Sequence, residues 1–461
     1  MTATLERAFI VRWRDMDRWV VPSAAILSRR LPAGWQLVRV GDVVKRVSNS
    51  VKVQPATEYK MAGVRWYGEG VFHRETARGD AQSAAWTSPL VPGALIYNRL
   101  FAWKASFAVV PPDLADCHVS NEFPQFMPDP AKLLPEYLYL WCIADQTIKA
   151  VNAASTGSAA VSRNRFREDY FLDFEMPLPP LAVQRKIVAA WEASRKAAVA
   201  TAAKIAQLEA DLEARFLADL GLKAPAQATL PKCFAVWWKD FDRWGVQPNQ
   251  LATTGVDISR AKYPLVEGRD CLAEVKHGCS ASPSPMPTTL EVLKISAATR
   301  GQFNPDERKY AFDVPRYRQE FELRAGDVLM CRTNGTLAMV GMSALVEADM
   351  PNLIYPDKLI RVRCKPNILP AYFWKLAQMG FARSQLEAAA RTAVGNYAIG
   401  SDDIWALRFP LPPLPVQRQI VDRVANRRDE IAKLKADAKA RADAAKADVE
   451  AMILGERKVR L

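Results

Sequence analysis

Two pairs of segments in this sequence carry the side-chain types that read nucleic acids. In the first half Asn98, Arg99 and Lys104 follow the apolar run LIY, and Ser158, Ser162, Arg163, Asn164, Arg165 and Arg167 crowd a second segment. In the second half Arg332, Thr333, Asn334 and Gly335 follow VLMC, and Arg391, Thr392, Asn396 and Tyr397 form the later group. An arginine can donate twice to the acceptors of guanine, and an asparagine can both donate to and accept from adenine, so these residues on loops are candidate base readers. For any single one of them, phosphate contact or plain solvation is the commoner fate.

Catalytic constellations are thin by comparison. The sequence has neither the Asn-Pro-Pro-aromatic nor the Asp-Pro-Pro-aromatic tetrad of an amino-methyltransferase, nor a phosphate-binding loop of the Gly-x-x-x-x-Gly-Lys-Ser/Thr form. Asp42 with Glu58, Tyr59 and Lys60 resembles a metal-dependent nuclease string, but two carboxylates and a lysine recur at such spacings by chance. His277 and Cys279 lack further ligands at zinc spacing, and none of the seven cysteines forms a Cys-x-x-Cys pair. No metal site is expected.

The charge points to a polyanionic partner. The net charge is +13 over 461 residues, with 28 Lys and Arg against 23 Asp and Glu in residues 1–230 and 35 against 27 in the remainder. Both halves are basic, so both are expected to meet the same polyanion. With 49% hydrophobic and 25% charged residues the composition is that of a globular protein. No apolar signal segment opens the sequence and no run of about eighteen apolar residues occurs, so a cytoplasmic location with reduced thiols is expected.

The elements that position these groups come in duplicate. MPLPPLAVQRKIV at 176–188 returns as FPLPPLPVQRQIV at 409–421, an offset of 233 residues. The prolines stiffen the lead-in to a long helix. From Ile187, steps of four and three run through Trp191, Ser194, Ala198, Thr201, Ile205, Leu208 and Leu212; from Ile420 they give Val424, Arg427, Ile431, Leu434, Ala438, Arg441 and Ala445. This is a heptad seam, and alanine-rich stretches make each helix the simplest partner for the other copy. Gly221 and Gly455 stand where a C-terminal cap is expected. Between these scaffolds PGALIYNR corresponds to AGDVLMCR, and LPEYLYLW, opening a helix expected from Pro135 to about Ala154, corresponds to LPAYFWKL. The opening phrase FIVRWRDMDRWVV at 9–21 is echoed by FAVWWKDFDRWGV at 234–246, and residues 224–229 are the expected hinge.

The twin Pro-Leu-Pro-Pro-Leu-x-x-Gln-Arg-x-Ile-Val motifs, with LIYNRLFAWKASFAVV and GDVLMCRTNGTLAMVG, resemble the DNA specificity subunit of type I restriction-modification systems over nearly the whole chain. The resemblance implies an α/β (mixed α+β) fold: two similar target recognition domains, held apart by two long antiparallel coiled-coil helices in a pseudo-twofold repeat. It places an N-terminal arm at 1–30, the recognition domains at 31–175 and 231–408, and the spacer helices at 176–222 and 409–461. It further implies a non-catalytic subunit that reads a bipartite double-stranded DNA target. The partners it implies are two modification subunits, which carry S-adenosylmethionine and methylate adenine, and restriction subunits that use ATP and magnesium; the chain itself would bind no cofactor. Arg332 to Gly335 match an Arg-Thr-Asn-Gly string of that family, and Asn98 to Leu100 depart from it. The rival readings are a basic coiled-coil nucleic-acid-binding adaptor without sequence specificity, and an enzyme with a fused nuclease or methyltransferase activity.

Overall fold

In a computed structural model, residues 31–155, 165–223, 256–393 and 395–459 are described. The echo at 9–21 and 234–246, the hinge at 224–229, and Ser158, Ser162, Arg163 and Asn164 lie outside them. The chain divides into two units: the first takes the residues up to Thr201 together with Ala436–Leu461, the second Ala202–Lys435.

Unit one begins with β1 (Gln36–Arg39), β2 (Val44–Arg46), β3 (Val51–Lys52), β4 (Glu58–Val64), β5 (Val71–Arg78), β6 (Trp86–Pro89), β7 (Leu95–Tyr97), β8 (Phe107–Val109), β9 (Cys117–Val119) and β10 (Gln125–Pro128). Helices α1 (Pro135–Ile143), α2 (Asp145–Ala154) and α3 (Glu168–Asp173) follow, then β11 (Glu175–Leu178). One sheet has the order β2-β10-β7-β8, a second β3-β6-β9-β4-β5, and β1 pairs with β11. The helix expected from Pro135 to Ala154 is two: Ala144 is extended (φ −61°, ψ 139°), and its N–H still reaches Trp141 O at the end of α1.

The long helix α4 (Leu181–Asp219) comes next. Unit two then lays down β12 (Leu265–Glu267), the short α5 (Gly268–Cys271), β13 (Leu272–His277), β14 (Glu291–Leu293), β15 (Arg308–Tyr310), α6 (Pro315–Phe321), β16 (Val328–Cys331) and β17 (Thr333–Asn334). It continues through β18 (Ser343–Leu345), β19 (Leu353–Ile354), β20 (Leu359–Cys364), α7 (Pro370–Ala377), α8 (Gly380–Ala389), β21 (Arg391–Ala393), β22 (Asn396–Ala398), α9 (Ser401–Trp405) and β23 (Arg408–Pro410) to the second long helix, α10 (Leu414–Ile453). Its sheet β13-β20-β16-β18 and its pair β12-β23 reproduce the topology of β2-β10-β7-β8 and β1-β11. The outer sheets correspond only in part: β15-β14-β19 repeats β5-β4-β9, with one antiparallel and one parallel partner on the central strand, whereas β3 and β6 of unit one and the sheet β17-β22-β21 of unit two are not repeated among the described residues.

The duplicated motif explains the duplicated frame. Gln184 is wholly buried; its Oε1 accepts the Leu134 N–H at 2.9 Å, and its Nε2 donates to Lys132 O and Pro179 O at 2.8 Å each. Gln417 does the same in unit two, accepting from Leu369 N–H at 2.8 Å and donating to Asn367 O at 3.1 Å and Pro412 O at 2.8 Å. Pro135 and Pro370 occupy the first turns of α1 and α7, where the helix leaves amides unmatched, and the glutamine meets the preceding one. Tyr137 donates its hydroxyl to Pro177 O at 2.8 Å, and Tyr372 to Pro410 O at 3.0 Å. Each proline lead-in is thereby tied to a helix some fifty residues upstream.

The heptad seam holds along both helices. On α4, Ile187 and Leu212 are buried and Trp191, Ser194, Thr201, Ile205 and Leu208 half-buried, while Ala198 is exposed. On α10, Ile420, Val424 and Ile431 are buried and Arg441 is exposed. In unit one, Val183 and Ile187 share a core with Val449 and Ile453. In unit two, Glu209 pairs with Lys435 at 2.9 Å and Asp219 with Arg423, so partners descend on one helix as they ascend on the other and the two segments are antiparallel. Gly221 and Gly455 both have φ of +72°, and the amides of Leu222 and Glu456 reach back to Leu217 O and Ala451 O, closing both helices with a left-handed cap.

Candidate nucleic-acid interface

In unit two, the apolar strand β16 ends at Cys331 and delivers Arg332 to the surface. Thr333 and Asn334 then pair with Ala398 and Tyr397, and Arg391, Thr392 and Ala393 pair with Ala398, Tyr397 and Asn396. Two segments some sixty residues apart in sequence thus form one small sheet, β17-β22-β21, and every described candidate of the second half lies on it or at its root. Arg391, Thr392 and Asn396 are exposed, and Thr333, Asn334 and Tyr397 half-exposed. Among the described residues Arg391 pairs with no carboxylate, which leaves its charge to a solvent anion or a phosphate. Asn334 Oδ1 is committed to the Thr336 N–H at 3.0 Å, and its side chain also bears on the Cys331 thiol. A methyl group on Gly335 would lie 3.8 Å from Asn396 Oδ1, so the turn and the neighbouring strand are in touch.

Arg332 is fixed by its main chain. Its N–H donates to Lys358 O at 2.9 Å and its carbonyl accepts from Ile399 N–H at 3.0 Å. Its Nη1 donates to Asp357 O at 3.2 Å, and its buried Nε has no partner. Burial, and next the Arg332 charge, hold the His277 imidazole below its ordinary range. Sequence reasoning passed over His277 in this role and passed over Lys358, which is exposed and, among the described residues, pairs with no carboxylate. Lysine after aspartate in PDK was the only sequence signal for Lys358.

In unit one, Arg99 holds the same station: its N–H donates to Glu122 O at 3.0 Å and its carbonyl accepts from Phe166 N–H at 2.9 Å. Its side chain has a different fate. The Arg99 guanidinium pairs with Glu168, both nearly buried, and Arg46 joins the same carboxylate at 3.0 Å. Arg99 therefore braces the domain from within, its guanidinium occupied by a carboxylate. Asn98 is turned into its own loop, its Oδ1 accepting the Leu100 N–H at 3.0 Å. Lys104 lies over the Trp66 ring at 3.7 Å. Arg165 pairs with the largely buried Glu122 at 2.5 Å and Arg167 with the exposed Asp169 at 2.8 Å; both arginines are more than half exposed, and the exposed Arg167–Asp169 pair is worth little in water.

The nuclease string does not converge on a metal-like set. Lys60 is tied to Asp116 at 2.5 Å and Tyr59 is buried. Among the described residues no group of three metal-ligating side chains gathers, and no helix is long and apolar enough to cross a membrane.

No family model matches the sequence. Individual relatives do. Over 274 residues, 59% of this chain, it is 26% identical to the Type I restriction enzyme EcoKI specificity subunit of Escherichia coli strain K12. Over 148 residues, 32% of this chain, it is 28% identical to the EcoEI specificity subunit of Escherichia coli, covering 25% of that protein. The chain resembles type I restriction enzyme specificity subunits. It spans about half the length of the EcoKI subunit, 54%, and a quarter of the EcoEI subunit. A solved chain described with the assembly and conformational transition of the type I R-M system superposes with a TM-score of 0.56 at 18% identity, covering 92% of this chain and 98% of that one. That likeness concerns the fold.

Proposed function

We propose that this chain is the DNA specificity subunit of a type I restriction-modification complex: unit one reads one half of a bipartite target and unit two the other. The observation that carries the reading is one frame used twice, down to the Gln184 and Gln417 clamps, under two outer surfaces that differ. A duplicated frame with identical surfaces would suit a symmetric adaptor; differing surfaces suit two different half-sites. Within unit two, Arg332, Thr333, Asn334, Arg391, Asn396 and Tyr397 face the DNA, with Lys358 beside them. Within unit one, Lys104, Arg165 and Arg167 supply phosphate contacts, and Asn98 and Arg99 shape the loop that carries them. Arg163 belongs to the same basic segment.

In this reading the chain performs no chemistry. It orients modification subunits, which hold S-adenosylmethionine and methylate adenine, and restriction subunits, which use ATP and magnesium; the long helices set the gap between the half-sites. The test is to purify the chain from its own cells and to map methylated adenines in genomic DNA with and without it. A co-purifying methyltransferase and a bipartite methylated motif that vanishes with the chain are expected. Purified chain that methylates or cleaves DNA alone, or methylation unchanged without it, overturns the proposal.

A further inference from the structure

The β4–β5 hairpin of unit one corresponds to the β14–β15 pair of unit two, but its short tip, residues 65–70, is built in an unusual way. Tyr67 is 71% exposed and Trp66 41%; among the described residues of this unit Trp86, at 55%, is likewise exposed, but it stands on β6 away from this tip. Tyr67 also sits in the left-handed region (φ 57°, ψ 28°), where a bulky residue is strained and glycine is the usual occupant.

The surroundings hold it there. Gly68 N–H donates to Ala105 O at 2.8 Å, Tyr139 donates its hydroxyl to Gly68 O at 2.7 Å, and Arg65 N–H donates to Gly70 O at 2.9 Å. A side chain at Gly68 would come within 2.8 Å of the Tyr139 hydroxyl oxygen, so the tip is seated on α1 at its closest approach. A strained, exposed ring on a rigid seat marks a contact element. The Tyr67 ring meets Trp66 edge-on at 6.4 Å, Phe101 supports Trp66 at 5.2 Å, and the Lys104 ammonium lies 3.7 Å from the Trp66 centroid. Arg65 covers Phe72 at 4.6 Å. Among the described residues neither Arg65 nor Lys104 pairs with a carboxylate. Trp66, Tyr67, Phe72 and Arg65, with Val64 and Glu69, line a shallow concavity of about 410 Å³.

We propose that this tip is a stacking contact to DNA: Tyr67 lies against the face of a base at one step of the half-site read by unit one, while Arg65 and Lys104 take the flanking phosphates. Flat apolar rings beside unpaired cations match the two chemistries of a nucleotide, a π-face and an anion. The patch is also continuous with the loop that carries Lys104, already assigned to the DNA side. The proposal rests on unit one binding DNA.

The test uses the full chain with its co-purified partners and a random duplex library, sequencing what is retained, alongside affinity for one fixed duplex at one stated salt concentration. Tyr67→Gly removes the ring and relieves the backbone, so loss of folding cannot mimic loss of contact; Tyr67→Phe keeps the stack. Tyr67→Gly is expected to lose discrimination at one or two adjacent positions of a single half-site and to bind about 10-fold more weakly, with Tyr67→Phe restoring both. An unchanged motif and affinity overturn the proposal, including the case in which Tyr67→Gly sheds a partner protein, which would make the tip a protein interface. If the wild type selects no motif at all, the specificity reading fails, and the affinity comparison alone decides the stacking: weaker binding by Tyr67→Gly supports it, equal binding overturns it.

Discussion

Gln417 and the Leu369 amide stand 2.8 Å apart across 48 residues of sequence, and Gln184 and the Leu134 amide repeat the relation at 2.9 Å. Each glutamine meets one main-chain donor and two main-chain acceptors in a site closed to water. Truncation strands all three. Gln184→Ala and Gln417→Ala are each expected to destabilise the protein by about 2–3 kcal/mol, read as a fall in the urea midpoint, because unmet buried polar groups retain their full desolvation cost. An unchanged midpoint would mean that the lead-in is held by the prolines alone.

Arg99 and Arg332 share a backbone station and should part company on mutation. Arg99→Ala leaves Glu168 with only Arg46 and is expected to cost about 1–2 kcal/mol of stability while leaving the preferred bases unchanged. Arg332→Ala is expected to weaken binding to the preferred sequence by about 1–3 kcal/mol and relax choice at one position of one half-site. Selection from random duplexes together with thermal melts separates the outcomes. Altered base choice in Arg99→Ala would place that side chain on the DNA.

Arg391 and Lys358 are exposed and, among the described residues, pair with no carboxylate, which suits phosphate contact. Arg391→Gln and Lys358→Gln should weaken all duplexes alike, and each should reduce the slope of log affinity against log salt by about 1. A titration series across salt concentrations measures it. Sequence-dependent loss with an unchanged slope would reassign the residue to base reading.

His118 and His277 are both held below the ordinary histidine range, His118 chiefly by burial and His277 by burial and then by Arg332. Because the unfolded chain then takes up the proton first as pH falls, these groups favour the fold above about pH 6.5 and lose that contribution as pH drops through their folded values. Urea midpoints should fall between pH 7.5 and 5.5, and His277→Gln should flatten that fall. In Arg332→Ala the His277 resonance, followed by NMR, should titrate at higher pH than in the parent. No movement would exclude charge coupling between the two.

The sequence displayed what is local. Proline lead-ins, heptads and terminal glycines specify long helices within a few turns, so the scaffold and its duplication could be read directly. The break at Ala144 could not, since DQTIKAVNAA continues a helical pattern and the extended residue is set by how α2 packs. Partners far away in the chain were hidden in the same way. Nothing near Gln184 announces Leu134, nothing near Arg99 announces Glu168, and the sheet joining Asn334 to Tyr397 forms from strands of two and three residues that carry almost no pattern of their own. Nothing in the sequence marks Trp66 and Tyr67 as exposed, because the hairpin that lifts them out decides it.

The stations of Arg99 and Arg332 are held by N–H and C=O groups, and nineteen of the twenty amino acids offer both. Inheritance can therefore rewrite those positions without revising the chassis beneath them, provided proline is never the replacement. A lineage carrying this frame can wander through side-chain alphabets at the loop root while its strands and helices stay in register.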